Sequence, residues 1–314
     1  MLKIAIIGSF KFHWECVGFI CELFQNNKYL QEPNIEINIY FTEEYFGYVK
    51  YFQQIYKNIN VITEFSIDDI VQNDIIIKLT ANDPIIHHEN IISILHVYPF
   101  QDKSERYITM SPFITPNGKT ICFSSENKHF IKPGKINYIF PLYSGIINRT
   151  TEKIITYIGL FQPENIDADF NQFISNSPDY EFYFISHGVD IKQFGSNKNV
   201  KCFPDCNASD LVQLVCRSKF ILHRHIQYSN LDRFSGALSI AVSHRKPLIL
   251  NKYFSDVYNL PAITYDYEFC EVSEKINRMT YNEYMLELDK LDVFIAEQDD
   301  YNKNKIVSII NSNN

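Results

Sequence analysis

Between Asp232 and Leu250 the chain reads Asp-Arg-Phe-Ser-Gly-Ala-Leu-Ser-Ile-Ala-Val-Ser-His-Arg-Lys-Pro-Leu-Ile-Leu. These are residue types suited to holding an anion. A polar turn at Ser235-Gly236 opens a helix of small residues from about Ala237 to Ser243, and an apolar strand follows from Pro247 to Leu250. The first N–H groups of a helix lack intrahelical acceptors and carry roughly half a positive charge, so a phosphate or diphosphate suits them. Gly236 and Ala237 have no bulk to keep such a ligand away. The structural alternative is that Ser235 is a plain N-cap and that Ala237, Ala241 and Ser243 only permit tight packing against a sheet.

Candidates for proton transfer lie in the first half. A buried strand, Asp74 to Leu79, ends in Thr80-Ala81-Asn82-Asp83-Pro84, and a second, Ile91 to Val97, carries His96. Open parallel sheets bind ligands outside the carboxyl ends of their strands. Asn82, Asp83 and His96 therefore stand where an acceptor group or a general base would be placed. A capping Asn-Asp pair and a core imidazole are the alternatives. Asp167-Ala168-Asp169 has the spacing of a metal-carrying pair, but it opens a helix, where acids are favoured in any case. A hard cation needs several converging oxygens, and neither this pair nor Asp266 with Glu268 has companions at suitable spacing, so no metal is expected. His223-Arg224-His225 could put two histidines on one strand face as a metal pair, but it adjoins the Ser235 region and is read as ligand contact by Arg224 and His225, with a plain strand end as the alternative. No Gly-x-Ser-x-Gly, Walker or His-Glu-x-x-His pattern occurs, which removes the common hydrolase, triphosphatase and zinc-protease classes.

The elements that must position these residues alternate. Lys3 to Ile7, the turn Gly8-Ser9 and a helix from Trp14 to Phe24 form a strand, turn and helix. Glu36 to Phe41 is the next strand, and Glu43 to Tyr56 an aromatic helix. His87-His88 reads as a solvated helix start. Tyr107 to Phe113 and Thr120 to Phe123 flank a turn and suggest a hairpin or two short strands, and Tyr138 to Pro141 is strand-like. The pattern restarts at Lys153 to Ile158 with a turn at Gly159, followed by strands at 180–185, 200–203 and 220–223. A helix over 210–217 is capped by Asn207 or Ser209, and two helical segments lie around Thr280-Tyr281. The class is α/β, with two Rossmann-like domains facing a cleft: residues 1–150, residues 151–285, and a C-terminal helix, 286–314, able to cross back to the first domain.

Length supports this division, since 314 residues suit two ordinary cores. With 46% hydrophobic and 21% charged residues the chain is globular, and a net charge of -8 argues against a nucleic-acid partner. Seven scattered cysteines with no Cys-x-x-Cys pair fit reduced thiols in a cytoplasmic setting. The apolar start is interrupted before a transmembrane segment forms. Heavy use of Ile, Asn, Lys, Tyr and Phe is what an A/T-rich genome produces, that of a large DNA virus or a low-GC microbe.

The chain resembles the GT-B glycosyltransferases, in architecture throughout and in motif over roughly 153–265. Tyr157 to Pro163 resembles the strand and Gly-containing turn that open that superfamily's second domain. Phe203-Pro204-Asp205, followed by Ser209-Asp210-Leu211, resembles its base-binding loop. Asp232, Phe234-Ser235 and Lys246-Pro247-Leu248-Ile249 match the spacing of its nucleotide-sugar motif. Ile240 occupies the position of that motif's second acid, and Leu160 and Asn165 stand where basic residues are usual, leaving Arg224 and Arg233 as substitutes. The resemblance implies that Gly8, Ser9, Gly159, Phe203, Asp205, Arg224, Arg233, Phe234, Ser235, Gly236 and Ala237 surround the donor, that Asp232 contacts the sugar, and that Asp83 or His96 faces it as base. It implies a glycosyltransferase taking a nucleotide-diphosphate sugar as donor and a glycan or protein as acceptor, with no separate cofactor and no essential metal. A non-catalytic nucleotide-sugar-binding protein of the same fold is the alternative, and a nucleotide-sugar epimerase a third reading.

Overall fold

The computed structural model describes residues 1–8, 14–31, 34–41, 46–79, 86–95, 106–110, 139–149, 151–159, 166–186, 189–195, 197–204, 206–224, 235–266 and 268–311. Contacts divide the chain into two compact units, one built on Met1–Ser144 and Glu297–Asn314, the other on Gly145–Asn230 and Ser235–Ala296.

In the first unit β1 (Leu2–Gly8), β2 (Ile35–Phe41), β3 (Ile59–Ile62), β4 (Ile75–Lys78), β5 (Ile91–Leu95) and β6 (Arg106–Thr109) form one parallel sheet in the order β3-β2-β1-β4-β5-β6. The runs Ile4-Ala5-Ile6 and Ile76-Ile77 are fully buried, as expected where helices cover both faces of a parallel sheet. The helices of this half are α1 (Trp14–Gln25), α2 (Phe46–Ile55) and the one-turn α3 (Ile67–Val71), the last closed by a reciprocal Ser66 and Asp69 capping box.

The second unit repeats the plan. Its strands β7 (Ile154–Ile158), β8 (Glu181–Ile185), β9 (Val200–Phe203), β10 (Phe220–His223), β11 (Leu248–Asn251) and β12 (Ala262–Tyr265) pair in parallel in the order β12-β11-β10-β7-β8-β9. Around them run α4 (Ala168–Ser175), α5 (Ala208–Arg217), α6 (Gly236–Ser243), α7 (Lys252–Tyr258), α8 (Cys270–Arg278) and α9 (Tyr281–Asn311). Aromatic rings dominate this core, with Phe170, Phe173, Phe182, Phe184 and Phe220 all fully buried. Among the described residues no helix is long and apolar enough to cross a membrane.

Several local expectations change. Arg106 to Thr109 forms β6, which pairs in parallel with β5 over Ile92↔Arg106 to Leu95↔Thr109, while the rest of the expected hairpin or strand pair, residues 111–123, lies outside the described set. Ile139 to Pro141 is irregular rather than strand, because the Phe140 carbonyl accepts from the Asn302 side chain at 2.6 Å in place of a ladder partner. His87 and His88 do not start a helix. His88 Nδ1 accepts the Asn90 N–H at 3.1 Å and shapes a turn into β5.

Candidate functional site

In both sheets the direction of strand order reverses between two neighbours, β1 and β4 in the first and β7 and β10 in the second. Ligands of open parallel sheets bind outside the carboxyl ends of the strands at such a reversal. In the second unit the groups at that place are Gly159 after β7, Asp167 before α4, Arg224 after β10, and the start of α6.

The start of α6 differs from its neighbours. Ser66, Asp167, Asn207 and Asn251 each accept a backbone N–H at the head of α3, α4, α5 and α7. Ser235, the N-cap of α6, makes no side-chain cap hydrogen bond. The N–H groups of Gly236 and Ala237 take no acceptor among the described residues. The rest of α6, Ala237 to Ser243, is buried, so only Ser235 and Gly236 at its head are partly exposed. Its far end closes with Arg245 at φ +53, where the Lys246 N–H bonds back to the Ala241 carbonyl at 2.9 Å.

Arg224 is 8% exposed. Its guanidinium lies over the rings of Phe170 and Phe269, 4.8 and 4.9 Å from their centroids, and Nη2 donates to Asp167 Oδ2 at 2.6 Å. Asp167 Oδ1 meanwhile caps α4 by accepting the Phe170 N–H at 2.8 Å. Partial burial alone would raise the Asp167 carboxyl, but the Phe170 N–H and the Arg224 guanidinium outweigh it and hold it below the usual carboxylate range. Asp169 accepts the Phe269 N–H at 3.1 and 3.2 Å, through both oxygens, and so serves the head of α8. Each acid of the Asp-x-Asp pair is thus engaged by protein donors. Among the described residues no group of three His, Cys, Asp or Glu side chains is placed to hold a metal ion.

The other expected site residues fall as follows. Gly159 follows β7 at φ +124 with open space where a Cβ would stand, a backbone conformation that suits glycine and lets a ligand approach. Gly8 ends β1 against Leu79, whose Cδ1 would lie 3.0 Å from an added Cβ, so packing demands a small residue there. Phe203 ends β9, its ring tilted on Tyr183 at 5.2 Å, beside an open groove of about 450 Å³ also bordered by Pro204, Cys206, Asp210 and Gln213. His223 is buried in β10, its ring edge-on to Phe254 at 5.8 Å, and its carbonyl accepts the Tyr265 hydroxyl at 3.4 Å. Ile240 is 4% exposed within α6. Ser9, Asp83, His96, Asp205, His225, Asp232, Arg233 and Phe234 lie outside the described residues. The residues not foreseen are Phe170 and Phe269, whose adjoining rings support the guanidinium. The cap at Asp167 was readable locally, but its partner stands 57 residues away.

Two parallel six-stranded sheets with flanking helices define the GT-B class of fold. Solved structures with the same arrangement include a glycosyltransferase from Rickettsia africae ESF-5, at 12% identity, TM-score 0.59 and 99% coverage of both chains. The avilamycin A biosynthetic glycosyltransferase AviGT4 is similar at 8% identity and TM-score 0.61, covering 99% of this chain and 97% of that one. An O-GlcNAc transferase mutant from Thermobaculum terrenum matches at 10% identity and TM-score 0.50, over 98% of this chain and 66% of its own. No family model and no curated protein matches the sequence.

Proposed function

We propose that the protein is a glycosyltransferase that moves a sugar from a nucleotide-diphosphate donor to a glycan or protein acceptor without an essential metal. The observation that carries this reading is the first turn of α6, where Ser235 makes no side-chain cap hydrogen bond and the Gly236 and Ala237 N–H groups take no acceptor among the described residues, at the same sheet end as the buried guanidinium of Arg224. A helix start offers oriented donors and positive potential to a phosphate, and a guanidinium adds a charged fork. Together they meet diphosphate charge by protein groups alone. The fold shared with the glycosyltransferases above supports the choice of reaction. In this reading Gly159 gives the donor backbone clearance, Phe203 and Asp205 flank the base, and Arg233 and Phe234 border the diphosphate. Asp232 contacts the sugar, while Gly8, Ser9 and either Asp83 or His96 serve from the first domain.

A thermal-shift screen of nucleotide sugars tests it, because a ligand at about a hundred times its dissociation constant adds roughly 2.7 kcal/mol of stability. The matching sugar should then be transferred equally well in EDTA. Activity lost to EDTA and restored by manganese or magnesium would overturn the metal-free assignment. His96→Ala or Asp83→Asn should lower turnover while donor affinity holds, since a base acts on the acceptor proton.

One observation favours a second reading, a non-catalytic nucleotide-sugar-binding protein. Ile240, buried in α6, offers no oxygen to ribose hydroxyls where the resembled motif has an acid. Donor binding without transfer or hydrolysis over many acceptors would select it.

A further inference from the structure

Arg224 follows one of the two strands that flank the reversal point of the second sheet, and Asp167 leads into the helix after the other. Their 2.6 Å ion pair therefore stands where an open parallel sheet receives its ligand. The partners are embedded unequally, with 8% of the Arg224 side chain exposed against 49% of Asp167. The guanidinium rests against two phenylalanine rings that pack on each other, while its counter-charge is half exposed. Asp167 also has a second use. Its other oxygen caps α4 through the Phe170 N–H, so the carboxylate stays satisfied if Arg224 turns to a different anion. Asp169 is directed elsewhere, both of its oxygens accepting the Phe269 N–H.

Resting on the reading of Arg224 as a diphosphate ligand, the geometry points to Asp167 as an internal counter-anion: its carboxylate holds the guanidinium in the empty site and yields it to the donor's phosphate oxygens on binding. The exchange keeps a buried cation paired in both states, which matters because an uncompensated buried charge is strongly destabilising. It also sets the affinity below what Arg224 alone would give, since each ligand must displace Asp167. Asp167 is thus a positioning residue that tunes donor affinity through Arg224.

The charge can be removed without losing the helix cap, because Asn and Ser cap helices about as well as Asp. UDP and inorganic pyrophosphate would be titrated calorimetrically into the parent, Asp167→Asn, Asp167→Ser and Arg224→Ala. Arg224→Ala should weaken both ligands tenfold or more. Asp167→Asn and Asp167→Ser should tighten both, by about fivefold at low salt, with the gain shrinking as salt screens the carboxylate. Their melting temperatures should not exceed the parent's. A purely structural role for Asp167 predicts weaker binding and lower stability together, not opposite signs. If Arg224→Ala loses binding but the Asp167 variants bind no more tightly than the parent, the counter-anion role is overturned and the diphosphate site stands. If Arg224→Ala binds like the parent, or the parent binds neither ligand, the diphosphate site itself is wrong and the role of Asp167 falls with it.

Discussion

Lys303 in the first unit and Arg224 in the second are both buried cations, and they are neutralised in opposite ways. Lys303 Nζ lies 3.0 Å from Glu22 Oε1 and 2.7 Å from Asp299 Oδ2. The other Glu22 oxygen accepts from the Tyr56 hydroxyl at 2.8 Å, Ser144 Oγ at 2.7 Å and Asn26 Nδ2 at 3.0 Å. Burial would raise the Glu22 carboxyl, but the Ser144 hydroxyl and the Lys303 ammonium outweigh it and hold it below its ordinary value. This closed network fastens the end of α9 to α1, and its donors and acceptors satisfy one another. Among the described residues Arg224 instead meets the half-exposed carboxylate of Asp167 and two aromatic faces. A cation enclosed by its counter-charges fixes a fold, whereas one whose counter-charge lies at the surface can exchange it. That difference separates a structural ion cluster from a ligand-ready one.

The largest effect expected from this contrast is on stability. Lys303→Met leaves Glu22 and Asp299 without their cation and should cost about 3–5 kcal/mol in urea denaturation. Arg224→Ala leaves behind, in Asp167, a carboxylate that water already reaches, so its stability cost should stay near 1–2 kcal/mol, much of it lost ring contact. The same Arg224 variant should lose ten- to a hundredfold in nucleotide-sugar affinity, matching the roughly 1.5–3 kcal/mol of a charged hydrogen bond, while Lys303→Met keeps its affinity under conditions where it is folded. Equal stability losses in the two variants, or equal losses of affinity, would break the comparison.

A gentler probe uses a third buried cation. Lys246 is fully buried and donates to the carbonyls of Asn148 at 2.9 Å and Cys216 at 2.7 Å. Burial lowers its pKa from 10.5 to about 8, an effect that Cys216 opposes. Between those values the unfolded chain binds more protons than the folded one, so stability attributable to this group should rise as pH increases from 8 toward 10.5. The stability of the parent minus that of Lys246→Met should rise across that window, since the buried thiols and phenols that titrate with the opposite sign are common to both. A difference that stays level would show that Lys246 makes no such contribution.

Much of the plan was legible because it is written locally. Continuous apolar runs such as Lys3 to Ile7 and Phe220 to Leu222 mark strands buried on both faces, and the Ser235-Gly236 turn before small residues marks the head of α6. The short elements β3 and α3 escaped notice. Ile59 to Ile62 is only four residues long, broken by Asn60, although Ser66 with Asp69 did carry a capping signal. What could not be read locally were pairings across the chain. Glu22 and Lys303 are 281 residues apart, and Arg224 is packed by Phe269 and bonded by Asp167 from two other elements. Strand order brings these groups together, and no sequence period encodes which cation meets which acid.

The central claim is that the first turn of α6 receives the donor's phosphates. Backbone amide resonances of Gly236 and Ala237, followed by nitrogen-15 NMR during titration with UDP, test it most directly. The account predicts large downfield proton shifts at both amides, saturating with the calorimetric affinity and diminished in Arg224→Ala at the same UDP concentration. Saturable UDP binding that leaves the Gly236 and Ala237 amides unmoved would contradict it.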